Sequence, residues 1–194
     1  GVSWKGNEGF YYSSYDKPEG SELSQMTDQH KFFYHKLKSS QKNDVLVFGG
    51  EKTPRRYIGG GVTEDQRFLV ISTAISTTGN ELYIQDLTKK DAPIITVLDN
   101  FDTSTNFVDN IGDEIYLLTN LNAPNNRLVK TNINNPSPEN WIDVIPETEN
   151  VLDISTAGGY LFAHYMIDAL DVVQQLDHSG KVIRDIQLPG PGTA

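Results

Sequence analysis

Four histidines, one run of hydroxyl side chains and a crowd of carboxylates are the groups in this sequence with the chemistry for catalysis. The histidines are His30, His35, His164 and His178. No pair of them has H-E-x-x-H spacing, so a helix-borne zinc site is not encoded. Cysteine is absent, which removes disulfides, thiolate metal sites and a thiol nucleophile. The hydroxyl-rich run ISTAISTTG (71–79) could hold a serine nucleophile. A nucleophile elbow, however, needs G-x-S-x-G followed by a helix, and neither is present. His35 in FFYHKL and His164 in YLFAHYM lie mid-strand beside aromatics and read as hydrogen-bonded packing residues. His178, in DHSG, reads as a turn donor, and His30, ending a polar insert, as solvated. No catalytic residue, metal ligand or cofactor site is therefore expected in this chain.

Asp99, Asp102, Asp109, Asp113 and Glu114 crowd one region. Two carboxylates facing each other 5–10 Å apart would suit glycoside hydrolysis, one as acid and one as base or nucleophile. The favoured reading sets these acids in turns and on outer faces, where they satisfy local backbone groups. No D-x-[DN]-x-[DN]-G calcium loop occurs. GGG (59–61) precedes a strand pattern, not the helix N-terminus that a phosphate loop needs, so these glycines read as sites of close backbone approach. In LLTNLNAPNNRLVKTNI (117–133), a lone arginine, Arg127, stands on the rim of a polar loop.

The bulk numbers set limits on partners. In 194 residues, 37% hydrophobic and 22% charged, 16 Lys and Arg oppose 26 Asp and Glu, a net charge of −10. Such a surface repels phosphate backbones and anionic lipid, so neither nucleic acid nor membrane is an expected partner. No apolar run approaches the ~20 residues of a membrane helix. The chain begins at Gly1 with no visible signal peptide. A soluble protein is expected, with cytoplasm and periplasm both open.

The elements that must position these groups are short alternating runs, rich in β-branched and aromatic residues and bounded by Gly, Asn, Asp and Pro. They come in triplets: 9–15, 31–37 and 44–48; 67–73, 81–87 and 94–98; 114–120, 127–133 and 141–145; 160–166, 171–177 and 181–188. A weaker extended segment precedes each triplet, at 2–4, 57–62, 105–110 and 151–156. Phe10, Phe68, Ile115 and Leu161 hold equivalent places in the second strand of each group. The longer first interval is explained by the polar insert KPEGSELSQMTDQH (17–30). Four strands recurring every ~40–50 residues are the signature of β-propeller blades. An irregular β-sandwich is the competing architecture, but it would not need the strand order to recur. The expected fold is thus all-β: about four four-stranded antiparallel blades at 1–48, 57–98, 105–145 and 151–188, in one partial propeller domain over 1–194. The start inside a strand and the linker-like tail LPGPGTA (188–194) suggest a piece of something longer.

Several phrases are more specific. GFYYSSYDKPEG (9–20) precedes KFFYHKLKSSQKNDVLVF (31–48), YIGGGVTEDQRFLVIST (57–73) and NELYIQDLT (80–88). LLTNLNAPNNRLVKTNI (117–133) then leads into NPSPENWIDVIPETENVLD (135–153). In order and spacing these resemble the propeller of the prolyl oligopeptidase (prolyl endopeptidase) family of serine peptidases, across essentially the whole chain. The resemblance implies a seven-bladed propeller, of which this chain holds about four blades. It also implies an α/β-hydrolase domain of the same parent chain, absent here, that carries a Ser-Asp-His triad. The propeller would cap that triad and restrict it to short proline-containing peptides, cut after proline. By the same resemblance, Arg127 faces the cavity between the two domains and contacts substrate; on its residues alone it reads as a surface arginine pairing with a nearby aspartate. Two other readings stay open: a non-catalytic propeller serving as an interaction scaffold, and a propeller glycosidase.

Overall fold

The computed structural model describes residues 1–15, 28–188 and 190. Residues 16–27, 189 and 191–194 lie outside it, and with them most of the insert at 17–30 and of the tail at 188–194. The chain divides into two compact units, Gly1–Asp102 and Thr103–Ala194.

Each unit holds two four-stranded antiparallel sheets whose strands pair in simple chain order. The first sheet is β1 (Val2–Lys5), β2 (Gly9–Ser14), β3 (Lys31–Lys36) and β4 (Val45–Gly49). The second is β5 (Tyr57–Val62), β6 (Phe68–Ala74), β7 (Glu81–Asp86) and β8 (Ile94–Leu98). In the other unit the third sheet is β9 (Thr105–Ile111), β10 (Glu114–Thr119), β11 (Arg127–Asn132) and β12 (Ile142–Ile145). The fourth is β13 (Leu152–Ala157), β14 (Tyr160–Ile167), β15 (Leu170–Leu176) and β16 (Val182–Ile186). Every run read from the sequence as a strand forms one. The only helical pieces among the described residues are three single 3₁₀ turns, at Gln41–Asn43, Gly50–Lys52 and Pro138–Asn140. No helix there is long and apolar enough to cross a membrane.

The repeat extends to register. In the first three sheets, pairing between the third and fourth strands shifts just after the second residue of the third strand, at Phe32/Phe33, Leu82/Tyr83 and Leu128/Val129. A bulge there bends the outer strand and increases its twist. In the same three sheets the first residue of the third strand is charged and sits opposite a hydroxyl: Lys31 to Ser14, Glu81 to Thr73, Arg127 to Thr119.

Strand alternation decides what each face buries. In the first unit, Tyr11 and Phe32 from one sheet meet Ile58, Leu69 and Ile71 from the other. Hydrogen bonds stitch the same pair of sheets. Val62 N donates to Ser3 Oγ at 2.9 Å, and Ser13 Oγ donates to the Ile58 carbonyl at 2.7 Å. One of the three glycines shows why the run is there. A Cβ on Gly60 would lie 2.5 Å from the Val70 carbonyl oxygen and 3.0 Å from the Phe32 ring, so the aromatic occupies the space a side chain would take. In the second unit, Tyr116, Leu118, Leu128 and Ile145 pack with Leu152, Leu161, Ala163 and Leu176.

The opposite face of the first sheet carries aromatic side chains around a polar node. Phe10 contacts Trp4, Tyr12 and His35 ring to ring. Asp44 sits beneath them, its side chain 3% exposed. Its Oδ2 accepts from the Tyr12 hydroxyl and its Oδ1 from His35 Nδ1, both at 2.7 Å. Burial raises the Asp44 pKa, but these two hydrogen bonds outweigh it and hold the carboxyl below the usual range. A depressed folded-state pKa adds stability above the ordinary aspartate value, and that stability fades as pH falls through the folded value. The melting-temperature advantage of the parent sequence over Asp44→Asn should therefore be full at neutral pH and shrink below about pH 4. A gap that stays constant into acid would show that the carboxyl is not held down.

Candidate functional site

Each histidine is committed to its own surroundings. His35 is the packing residue described above. His164 Nε2 is hydrogen-bonded to Ser155 Oγ at 2.9 Å, a contact that superficially suggests a nucleophile and base. Both residues lie on extended strands, β13 and β14, so the serine has no elbow and no helix N-terminus behind it. His30 is half-buried, not solvated as the sequence suggests. Its Nδ1 accepts from Ile58 N at 2.7 Å, and burial pushes its pKa down. His178 is more than a turn donor: its Nε2 reaches Asp109 Oδ2 at 2.8 Å, and its ring stands edge-on to Tyr116. The packing of the third and fourth sheets brings them together, which no local signal announces.

Several carboxylates of 99–114 have polar side-chain partners. Glu114 takes Lys130 Nζ at 2.9 Å, Asp109 takes His178, and Asp113 accepts from Asn134 Nδ2 at 3.4 Å. Asp109 sits on β9, an edge strand of the third sheet, and its Oδ1 accepts from the backbone N of Asn110 at 2.8 Å. Among the described residues no cluster of three or more His, Asp or Glu could hold a metal ion.

Arg127 opens β11 after a loop that is firmly held. Asn122 and Asn126 adopt positive φ, 54° and 67°, a conformation asparagine tolerates better than most residues. Asn125 Nδ2 donates to the carbonyls of Thr148 and Glu149, and its backbone N to Glu147 Oε1. Asn126 Nδ2 donates to the Leu152 carbonyl. The asparagines of APNN therefore pin the loop to the segment entering β13, and Arg127 leaves from a fixed base. Its Nη1 donates to Asp143 Oδ1 at 2.9 Å, and its Nε is buried without a hydrogen-bond partner. The pair is partly exposed, so its net contribution to stability is small, about 0–1 kcal/mol. A guanidinium so held presents fixed donors to a carbonyl or carboxylate oxygen.

A second arginine escaped the sequence reading. Arg56 lies just before β5, in the stretch GGEKTPRR. Its Nη2 meets Glu81 Oε1 at 2.9 Å, and its Cζ stands 5.3 Å from the centre of the Phe101 ring. Glu81 is buried, and its Oε2 accepts from Thr73 Oγ1 at 2.6 Å and from the Tyr83 hydroxyl at 3.0 Å. Burial, with the hydrogen bond to Glu81, pushes the Tyr83 pKa up to about 12, so the phenol stays a donor. Only the charge-to-hydroxyl register of β6 and β7 could have hinted at this cluster.

Comparison with known proteins agrees with this geometry. Residues 1–194 match the family described as prolyl oligopeptidase, N-terminal beta-propeller domain. The chain is 57% identical over 195 residues to the prolyl endopeptidase of Elizabethkingia meningoseptica, covering 100% of this chain and 28% of that protein. It is 30% identical over 219 residues to the prolyl endopeptidase of Dictyostelium discoideum, covering 100% and 29%. A solved structure from work on two prolyl endopeptidases matches with a TM-score of 0.87 at 28% identity, over 100% of this chain and 28% of that one. Prolyl oligopeptidase B from Galerina marginata shares the fold, with a TM-score of 0.84 at 24% identity over 95% of this chain and 27% of that one. The chain thus spans under a third of the length of these relatives. The match fits the peptidase reading and neither the scaffold nor the glycosidase alternative. Repeating four-stranded sheets, their shared register and a family match along the whole chain converge: this chain belongs to the prolyl oligopeptidase N-terminal β-propeller domain family.

Proposed function

We propose that this chain is the propeller portion of a serine endopeptidase that hydrolyses short peptides after proline. The chemistry is nucleophilic acyl transfer by a Ser-Asp-His triad on an α/β-hydrolase domain of the same parent chain. Blades beyond these four complete a seven-bladed propeller that restricts access to the triad. Arg127 contributes a substrate contact, donating to peptide oxygens from its pinned loop. The observation that carries this reading is the family match over all 194 residues, joined to the lack of any nucleophile elbow among the described ones.

The test compares the full-length parent with residues 1–194 alone on a chromogenic peptide carrying an internal proline. The parent is expected to cleave after proline and the isolated segment to cleave nothing; activity from the segment refutes the division of labour. In the parent, Arg127→Ala is expected to raise KM by about three- to tenfold, the loss of a hydrogen bond from a charged donor. The melting temperature should move little, because the Asp143 pair is partly exposed. An unchanged KM would remove Arg127 from the substrate contacts.

A further inference from the structure

Arg56 and Glu81 form a pair that stability alone does not explain. A carboxylate in the protein interior is costly unless it is fully satisfied, and a single apolar residue at position 81 would avoid that cost. Glu81 is satisfied on both oxygens: Arg56 takes Oε1, and Thr73 with Tyr83 takes Oε2. This immobilises Arg56. One guanidinium edge is spent on Glu81, and its face lies over Phe101. The side chain also acts electrostatically on Tyr83 and remains 26% exposed.

Its location gives the guanidinium a use. Glu81 is the first residue of β7 and pairs with Thr73, just as Arg127 is the first residue of β11 and pairs with Thr119. Both arginine–carboxylate pairs thus mark the same end of their own sheets, the end that carries the loop between second and third strands. The charges are arranged in opposite senses. In the third sheet the strand supplies the arginine; in the second it supplies the carboxylate, and the arginine arrives from the connection before β5.

We propose that Arg56 is a second substrate-contacting residue, whose remaining N–H groups donate to a main-chain carbonyl oxygen of the bound peptide. This rests on the reading of the chain as part of a proline-directed peptidase. A carbonyl, not a carboxylate, follows from the charge balance. Glu81 already neutralises the guanidinium, in a chain of net charge −10, so the pair offers strong directed donors but little net attraction for an anion. Glu81 is a positioning residue: it holds the guanidinium plane and does not touch the peptide.

The experiment uses the full-length parent and two internally quenched proline peptides, identical except that one ends in a free acid and the other in an amide. Arg56→Lys keeps the charge beside Glu81 but turns a fork into a point donor spent on that carboxylate. The double variant Arg56→Met/Glu81→Gln removes both charges without stranding either. Both variants are expected to raise KM about tenfold on both peptides, with kcat within about twofold, as for one lost charge-assisted hydrogen bond. A KM equal to that of the parent sequence in both variants overturns the proposal. So does a loss confined to the free-acid peptide, which would make the ligand a carboxylate. A full-length parent that cleaves neither peptide overturns the underlying peptidase reading and this proposal with it; an active parent with indifferent variants overturns the role of Arg56 alone. If the double variant melts more than about 5 °C early, Arg56→Lys decides.

Discussion

Replacing Phe32 by alanine is expected to destabilise the first unit by about 3–5 kcal/mol, the range for deleting a buried aromatic. The ring is 1% exposed and stacks on Tyr11 with centroids 5.8 Å apart and planes 15° from parallel. It belongs to the cluster of Ile58, Leu69 and Ile71 that joins the first two sheets. Relaxation into the vacated space is limited for two reasons. The residue facing the ring is Gly60, which has no side chain to swing into the gap. The spacing of the sheets is also fixed by the bonds from Val62 N to Ser3 Oγ and from Ser13 Oγ to the Ile58 carbonyl. The cost should therefore fall near the top of the range. Urea denaturation of the parent sequence and of Phe32→Ala measures it directly. A loss below about 1.5 kcal/mol would mean that the sheets slide together after all, and that Gly60 is not held open by this ring.

The same contact shows what was legible in the sequence. The runs that carry Tyr11 and Phe32 were readable as strands from their alternation, and strand order followed from the recurrence of four runs. These are local signals, set by side-chain direction along a strand, so they survive in a one-dimensional reading. The turn that launches Arg127 was legible for the same reason, because asparagine and proline mark it. Polar partnerships across sheets were not. His178 looked like a turn residue until the packing of two sheets brought it to Asp109. Glu81 opens a run read as a strand, yet burial makes it the centre of a network whose cation, Arg56, lies in the segment that connects the first two sheets. Which polar groups are buried, and therefore must be satisfied, depends on tertiary packing that hydrophobic spacing does not encode. Arg127 falls between these cases: its place on the rim was readable, but its bond to Asp143 needed the register of β11 against β12.

Gly79→Ala is expected to be the most damaging single-atom-scale change near the Arg56 cluster. Gly79 has φ of +75°, and a Cβ there would lie 1.7 Å from the Phe101 carbonyl oxygen, inside any permitted contact. The left-handed conformation alone costs an alanine about 1–2 kcal/mol. Displacing the backbone at Phe101 adds about 1–3 kcal/mol, as overpacking typically does. The carbonyl belongs to main chain, so no rotamer change relieves the clash; the segment 99–102 must move. Phe101 carries the ring under Arg56, so the displacement reaches the guanidinium plane. Two readouts should therefore change together in the full-length protein. Stability by urea denaturation should fall by about 2–5 kcal/mol, and KM for a proline reporter peptide should rise at temperatures where the variant is still folded. Gly158→Ala supplies the control: that glycine also has positive φ, +57°, but a Cβ there meets nothing within 4 Å. It should lose only the conformational part, about 1–2 kcal/mol, and leave KM unchanged. Equal losses in the two variants would show that the approach of Phe101 to Gly79 is not tight. A Gly79→Ala protein that loses stability but keeps its KM would separate the Phe101 platform from the orientation of Arg56, and with it the reason for placing an aromatic ring beneath that arginine.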